Sequence, residues 1–185
     1  AHAAAAVKKY GGSGLIVTDW GDIGHLQYLP VSYSGFSYAA IKAWSDGDET
    51  DIIEGVNLFI DDKKLSELIV KLSKFIPLEG EYRDYGCRLF YTILWAEHAS
   101  RYENPKEFFL EKMKYNLIAD ENVTKLRKFF DEALFILEEN ENVLEVNELK
   151  NSIFLLKILL DINVKLTIIY NNQNEDEIDF KNEIS

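Results

Sequence analysis

Between Gly14 and Pro30 the side chains of Asp19, Trp20, Asp22 and His25 crowd into one short stretch punctuated by Gly21 and Gly24. A tryptophan presents a flat, electron-rich face that the C–H groups of a pyranose ring can cover. A carboxylate two residues on can accept charge-assisted hydrogen bonds from sugar hydroxyls. Stacking by Trp20 and hydrogen bonding by Asp22 would together fix a sugar. Two other readings stand beside this one: Trp20 as a core aromatic with Asp22 as an ordinary loop cap, and Asp19 as a carboxylate that structures the loop. A metal site of Asp19, Asp22 and His25 lacks a helix to align its ligands, because Gly21 and Gly24 interrupt it, and lacks an evident fourth ligand, so no metal is assigned.

These residues need a scaffold. Leu15 to Val17 is a short apolar run with two β-branched members, Ile16 and Val17, entered from the glycine cluster Gly11, Gly12 and Gly14. It reads as a buried parallel strand that follows a helix end. The polar and aromatic groups arrive at its C-terminal end, where α/β folds meet their ligands. Upstream, Ala1 to Tyr10 has the alanine-rich composition of a helix body already under way, with Lys8 and Lys9 near its C-terminal dipole and Gly11 or Gly12 as its stop. A chain that begins inside a helix and not at Met is expected to be a fragment or a processed product. Downstream, Val31 to Trp44 reads as a helix whose Gly35, Ala39, Ala40 and Ala43 would let it lie tight against a sheet, with bulk from Tyr33, Phe36 and Trp44.

The run Thr-Asp-Trp-Gly-Asp-Ile-Gly-His-Leu-Gln, followed by Leu-Pro-Val-Ser-Tyr and a small-and-aromatic helix, resembles the last strand, loop and helix of the (β/α)8 barrel in β-N-acetylhexosaminidases of glycoside hydrolase family 20. The likeness is to a bacterial branch that writes Trp-Gly-Asp where more of the family has Trp-x-Glu, and it is dense only over residues 1 to about 45. The resemblance implies that Trp20 lines the wall of the −1 subsite and that Asp22 holds hydroxyls at C4 or C6 of the terminal sugar. Asp19 and His25 match the branch's motif without an assigned role. It also implies an adjacent Asp-Glu pair at the end of the fourth strand, upstream of this chain. There the Glu is general acid, and the Asp orients the substrate's own 2-acetamido group as nucleophile. The acid pairs here, Asp61-Asp62, Asp120-Glu121 and Glu138-Glu139, read as helix-start or surface charge. No catalytic residue is assigned within the chain.

Composition limits the alternatives. The 185 residues are 47% hydrophobic and 13% aromatic, enough for a sizeable core. A net charge of −12, with 20 basic residues interleaved among 32 acidic ones, argues against a nucleic-acid surface. The single cysteine, Cys87, permits no internal disulfide and reads as a small buried hydrophobe, so nothing requires an oxidising compartment. His2 and His98 read as structural or surface residues. The most apolar window, Ile153 to Tyr170, carries Lys157, Asp161 and Lys165 on one helical face, which argues against a membrane span and sets Asp161 four residues before Lys165, the favoured order for an exposed ion pair along the helix. A soluble, cytoplasmic location is expected, with no cofactor.

Beyond Ser45-Asp-Gly-Asp-Glu-Thr50 strand signals vanish. Helical spacing recurs in Leu65, Leu68, Ile69, Leu72, Phe75 and Ile76, with Pro77 and Gly80 ending the run, and in Val123, Leu126, Phe130, Ala133 and Leu137. Tyr85 to Ala99 and Leu144 to Tyr170 read as further helices. Asn104-Pro105 reads as a cap opening a helix through Met113. Tyr82, Tyr85, Tyr91 and Tyr102 suggest either a second sugar site or a helix core.

The expected fold is mainly α: a C-terminal remnant of a (β/α)8 barrel over 1–48, an all-helical region over 49–172 and a fraying tail over 173–185. Without barrel neighbours, Leu15 to Trp20 has no strand to pair with and should be less regular than the helices. The implied function is exo-hydrolysis of terminal β-linked GlcNAc or GalNAc by the intact enzyme. This chain would supply one wall of the sugar pocket, pack on the rest of the barrel and be inactive alone. The alternative is a non-catalytic helical interaction module carrying a truncated barrel remnant.

Overall fold

The computed structural model describes residues 2–19, 28–45, 49–80, 87–140 and 144–183, and these are mainly helical, with no strand among them. In order come α1 (His2–Tyr10), α2 (Leu29–Trp44), α3 (Glu49–Ile60), α4 (Lys63–Leu72), a 3-10 turn (Ile76–Glu79), α5 (Arg88–Ala99), α6 (Pro105–Met113), α7 (Asp120–Glu138) and α8 (Leu144–Glu183). They form two compact units, one of residues 1–75 with 131–152 and the other of 76–130 with 153–185. Both α7 and α8 contribute to each unit.

In the first unit α1 stops where the glycines require it. Gly11 takes a left-handed φ of 69°, and the Gly12 N–H donates back to the Val7 carbonyl at 2.9 Å, the closing bond of a Schellman turn. Helix α2 packs on α1, α3 and α4. Its close approach is not made by the small residues expected to face a sheet, since Gly35 and Ala40 are exposed. It is made at Ser37, which is buried and lies so near Gly55 of α3 that a Cβ there would stand 3.0 Å from the Ser37 Cβ. With no sheet among the described residues, a helix supplies the flat partner.

Helix α3 has no counterpart among the expected elements, although Ile52, Ile53, Val56 and Ile60 recur at helical spacing and Val56 is fully buried. Asp61 makes the left-handed turn out of it, with φ 53°. Asp62 then caps α4 by accepting from the Leu65 N–H at 3.0 Å, the helix-start role its acid pair suggested. Helix α4 buries Leu65, Leu68 and Ile69 and ends at Leu72, earlier than Pro77. Ion pairs join Lys71 to Glu132 at 3.0 Å and Lys64 to Glu139 at 3.8 Å.

The second unit is built around two buried polar groups. Glu79, 2% exposed, accepts from the backbone N–H groups of Arg88 at 2.7 Å and Leu89 at 3.1 Å, and from the Cys87 thiol at 3.1 Å. It thus caps the N-terminus of α5 from outside the helix. Asn163 of α8, fully buried, accepts from the Ile118 N–H and donates to the Asn116 carbonyl, both at 3.0 Å, clamping the link between α6 and α7 onto α8. Around them Leu89, Met113, Ile118, Leu126, Phe130, Ile153 and Leu160 are buried.

Three local expectations change. Pro105 does open α6, but the Asn104 side chain makes no capping bond; its carbonyl accepts from Phe108 N at 3.1 Å instead. Asp161 pairs with Arg127 of α7 at 2.8 Å, an interhelical bridge in place of one along α8. Cys87 is half-buried, and its thiol hydrogen bonds to Glu79. None of the helices among the described residues is long and apolar enough to cross a membrane.

Candidate functional site

The stretch from α1 to α2 is where the sequence places its candidate ligand-binding groups. Residues 14–19 carry no regular secondary structure, and the run read as a strand faces outward: Ile16 is 88% exposed, with Leu15 and Val17 also exposed. A lone segment cannot pair its own N–H and C=O groups in a ladder.

The segment ends at Asp19, whose carboxylate accepts a hydrogen bond from the Ser32 hydroxyl in the first turn of α2. Helix α2 starts from Tyr28 in an extended conformation, without a side-chain cap, and Pro30 in the first turn is buried. Asp19 places negative charge near an otherwise uncapped helix N-terminus, where the dipole favours it. The same bond ties together the two stems of the loop that carries the sugar-binding candidates. Trp20, Asp22 and His25 lie outside the described residues, as does the ten-residue motif beyond its first two members. The Ser32 bond supports the loop-structuring reading that sequence left open for Asp19.

Along the stem lie two clefts of about 330 Å³ each. One is walled by Leu15, Val17, Phe36, Ala39, Ala43 and Trp44. The other lies on the α1 side of the same segment and adds Ala4, Val7 and Gly12. The small residues Ala39 and Ala43 thus face the apolar run instead of a sheet. Trp44, at 91% exposed, caps the end of both clefts.

Elsewhere the chemistry is structural. Burial pushes the Glu79 carboxyl above the usual carboxylate range, opposed by its hydrogen bonds from Cys87, Arg88 and Leu89 and by the Arg88 charge. Burial, with the Glu79 carboxylate beside it, pushes the Cys87 thiol far up, so it is a poor nucleophile. Tyr33 stacks on Phe59 with centroids 5.0 Å apart, and its hydroxyl is pushed up by burial and by the charges of Glu145 and Glu148. Tyr91 stacks on Trp95, Tyr102 stacks on Phe108 at 3.8 Å, and Trp95 meets the edges of His98 and Phe108. These rings occupy one another's faces in a helix-packing cluster; Tyr82 and Tyr85 lie outside the described residues. A wider cleft of about 640 Å³ beside α6 mixes Lys106 and Lys114 with Glu107 and Glu111, next to Tyr170. No group of three or more His, Cys, Asp and Glu residues comes together among the described residues.

Sequence reasoning missed Glu79 and Asn163. Nothing in the local pattern marks either, because their partners lie nine and ten residues on for Glu79 and more than forty residues back for Asn163. Compared with known proteins, the chain matches no family model, no curated protein and no solved structure.

Proposed function

We propose that this chain is the closing part of a (β/α)8-barrel glycosidase acting on terminal β-linked N-acetylhexosamine, with Trp20 and Asp22 forming one wall of the sugar subsite. The observation that supports it best is the state of Leu15, Ile16 and Val17. An apolar, β-branched run leaves a glycine-stopped helix, lies outward along the small-residue side of α2, and leads directly into a loop whose stems Asp19 and Ser32 tie together. An exposed Ile16 between two helices is costly unless neighbouring strands cover it, and a barrel would supply such strands on either side.

In this reading Trp20 stacks on the sugar ring and Asp22 accepts from its hydroxyls. Asp19 and His25 shape the loop, and the catalytic Asp-Glu pair sits in the preceding part of the barrel. Within the intact enzyme, Asp22→Ala leaves buried sugar hydroxyls unsatisfied. It should lower kcat/KM about ten- to hundredfold with little change in the pH profile. The loss should shrink on an analogue lacking the hydroxyl that Asp22 holds. Trp20→Ala should weaken all N-acetylhexosaminides alike. The 185-residue chain by itself should release no chromogenic leaving group. Turnover by the isolated chain, abolished by changing an acid within it, would overturn the reading, as would an Asp22→Ala enzyme within twofold of its parent.

A further inference from the structure

Helix α8 carries, on the face turned away from its own core, an exposed seam at alternating spacings of four and three: Phe154, Ile158, Asp161, Lys165, Ile168 and Asn172. Phe154 is 51% exposed, Ile158 57% and Ile168 55%, while Leu159, Leu160 and Asn163 on the other side are buried. Alternating four-three spacing is the repeat by which one helix keeps a continuous face toward a second. The seam is about 27 Å long at 1.5 Å per residue.

The order of residues along this seam is symmetric about position 163 in a way that selects the partner. When a helix pairs with its own copy about a two-fold axis level with Asn163, each residue meets the one equally far on the other side. Ile158 then meets Ile168 of the second copy, Asp161 meets Lys165, and Phe154 meets Asn172, each contact occurring twice. Ile162, also exposed, lies close to the axis and approaches its own copy. Parallel pairing in register would instead oppose Asp161 to Asp161 and Lys165 to Lys165. The charges therefore reject the parallel arrangement and fit the antiparallel one. Asp161 already accepts from Arg127 of its own chain at 2.8 Å, which leaves its second oxygen for the incoming lysine.

We infer that the exposed face of α8 is a self-association surface, on which two copies of the chain pair antiparallel through Ile158, Asp161, Lys165 and Ile168. The contact is isologous, so it closes as a dimer and does not propagate. A seam this long and roughly one helix wide is smaller than the ~800 Å² per partner of a standard interface, so the dimer should be weak, with a dissociation constant on the order of 10–100 μM.

Sedimentation of the full 185-residue chain from about 1 μM to about 1 mM tests this, since that range brackets the expected constant. Wild type should pass from monomer to dimer. Ile158→Lys should hold it monomeric, and Lys165→Glu should weaken the dimer at least tenfold. Asp161→Lys should also weaken it, and mixing Asp161→Lys with Lys165→Glu chains should restore a dimer, because each then opposes unlike charges. As a readout that does not depend on the Arg127 pair, Ile158→Cys and Ile168→Cys chains should crosslink with each other under a mild disulfide-forming oxidant, and neither with itself. A monomer throughout the concentration range, a dimer indifferent to Ile158→Lys and Lys165→Glu, failure of the mixture to pair, or self-crosslinking of Ile158→Cys would each overturn the proposal.

Discussion

Glu79 is the most informative single position for the stability of the second unit. Its carboxylate accepts from Arg88 N, Leu89 N and Cys87 Sγ while 2% exposed. Glu79→Ala strands two backbone donors at the start of α5, each costing about 1–3 kcal/mol if water does not reach it, for a loss of roughly 2–6 kcal/mol. Glu79→Gln keeps the shape but turns an amide NH2 toward one of the donors, and should cost about 1–2 kcal/mol. The pH dependence separates burial from hydrogen bonding. Burial raises the folded-state pKa of Glu79 above its unfolded value, so the folded state holds this proton more tightly. The favourable contribution is fully present below the unfolded pKa and is lost as pH rises through the folded one. Absolute stability mixes in every other carboxylate, whereas Gln does not titrate. The difference between wild type and Glu79→Gln, measured by chemical denaturation from about pH 4 to about pH 7, should therefore shrink as pH rises. A difference that widens with pH would mean that the hydrogen bonds and the Arg88 charge outweigh desolvation, and would refute the reasoning.

Three further outcomes follow from single contacts. Asn163→Leu removes both partners of the clamp, leaving Ile118 N–H and the Asn116 carbonyl unpaired, and should cost roughly 2–5 kcal/mol; hydrogen exchange at Ile118 should accelerate even where the global loss is masked. Gly55→Val drives new atoms into Ser37, whose Cβ stands 3.0 Å from the first of them, and should destabilise by about 1–3 kcal/mol in a thermal or urea melt; an unchanged midpoint would show that α2 and α3 separate freely. Cys87 should alkylate far more slowly than a free thiol until the unit unfolds, because burial and the Glu79 carboxylate disfavour its thiolate; rapid labelling at neutral pH would contradict this.

What could be read from the sequence was what repeats locally. Val123, Leu126, Phe130, Ala133 and Leu137 are all buried along α7, and Leu65, Leu68 and Ile69 along α4, because an apolar stripe at helical spacing has one favourable destination wherever the neighbouring helices lie. Gly11 was legible for the same reason: a positive φ is a local demand. Helix α3 was hidden by the acidic, turn-like run before it and by a less regular stripe than that of α4, since Leu58 and Phe59 are exposed beside the buried Val56. Asp61-Asp62 could be read as a helix start because a cap acts three residues away.

The polar residues that organise the second unit follow the opposite logic. A buried Glu or Asn is tolerable only when every hydrogen-bonding group is met, and those partners are set by tertiary contact. In sequence, Glu79 is one of 32 acidic residues with nothing to set it apart, and Asn163 looks like a helix-weakening residue inside an apolar run. Conversely, of the groups most conspicuous in sequence, Asp19 through His25, the described residues include Asp19, which lies on a stem whose apolar residues remain exposed and accepts a hydrogen bond from Ser32. Chemistry-bearing residues advertise themselves because a ligand must reach them, while the polar residues that hold a fold together are silent because only the fold reaches them. Function in this chain is therefore to be sought at the Asp19–Ser32 stem and the exposed face of α8, and not at Glu79 or Cys87, whose raised pKa values follow first from burial.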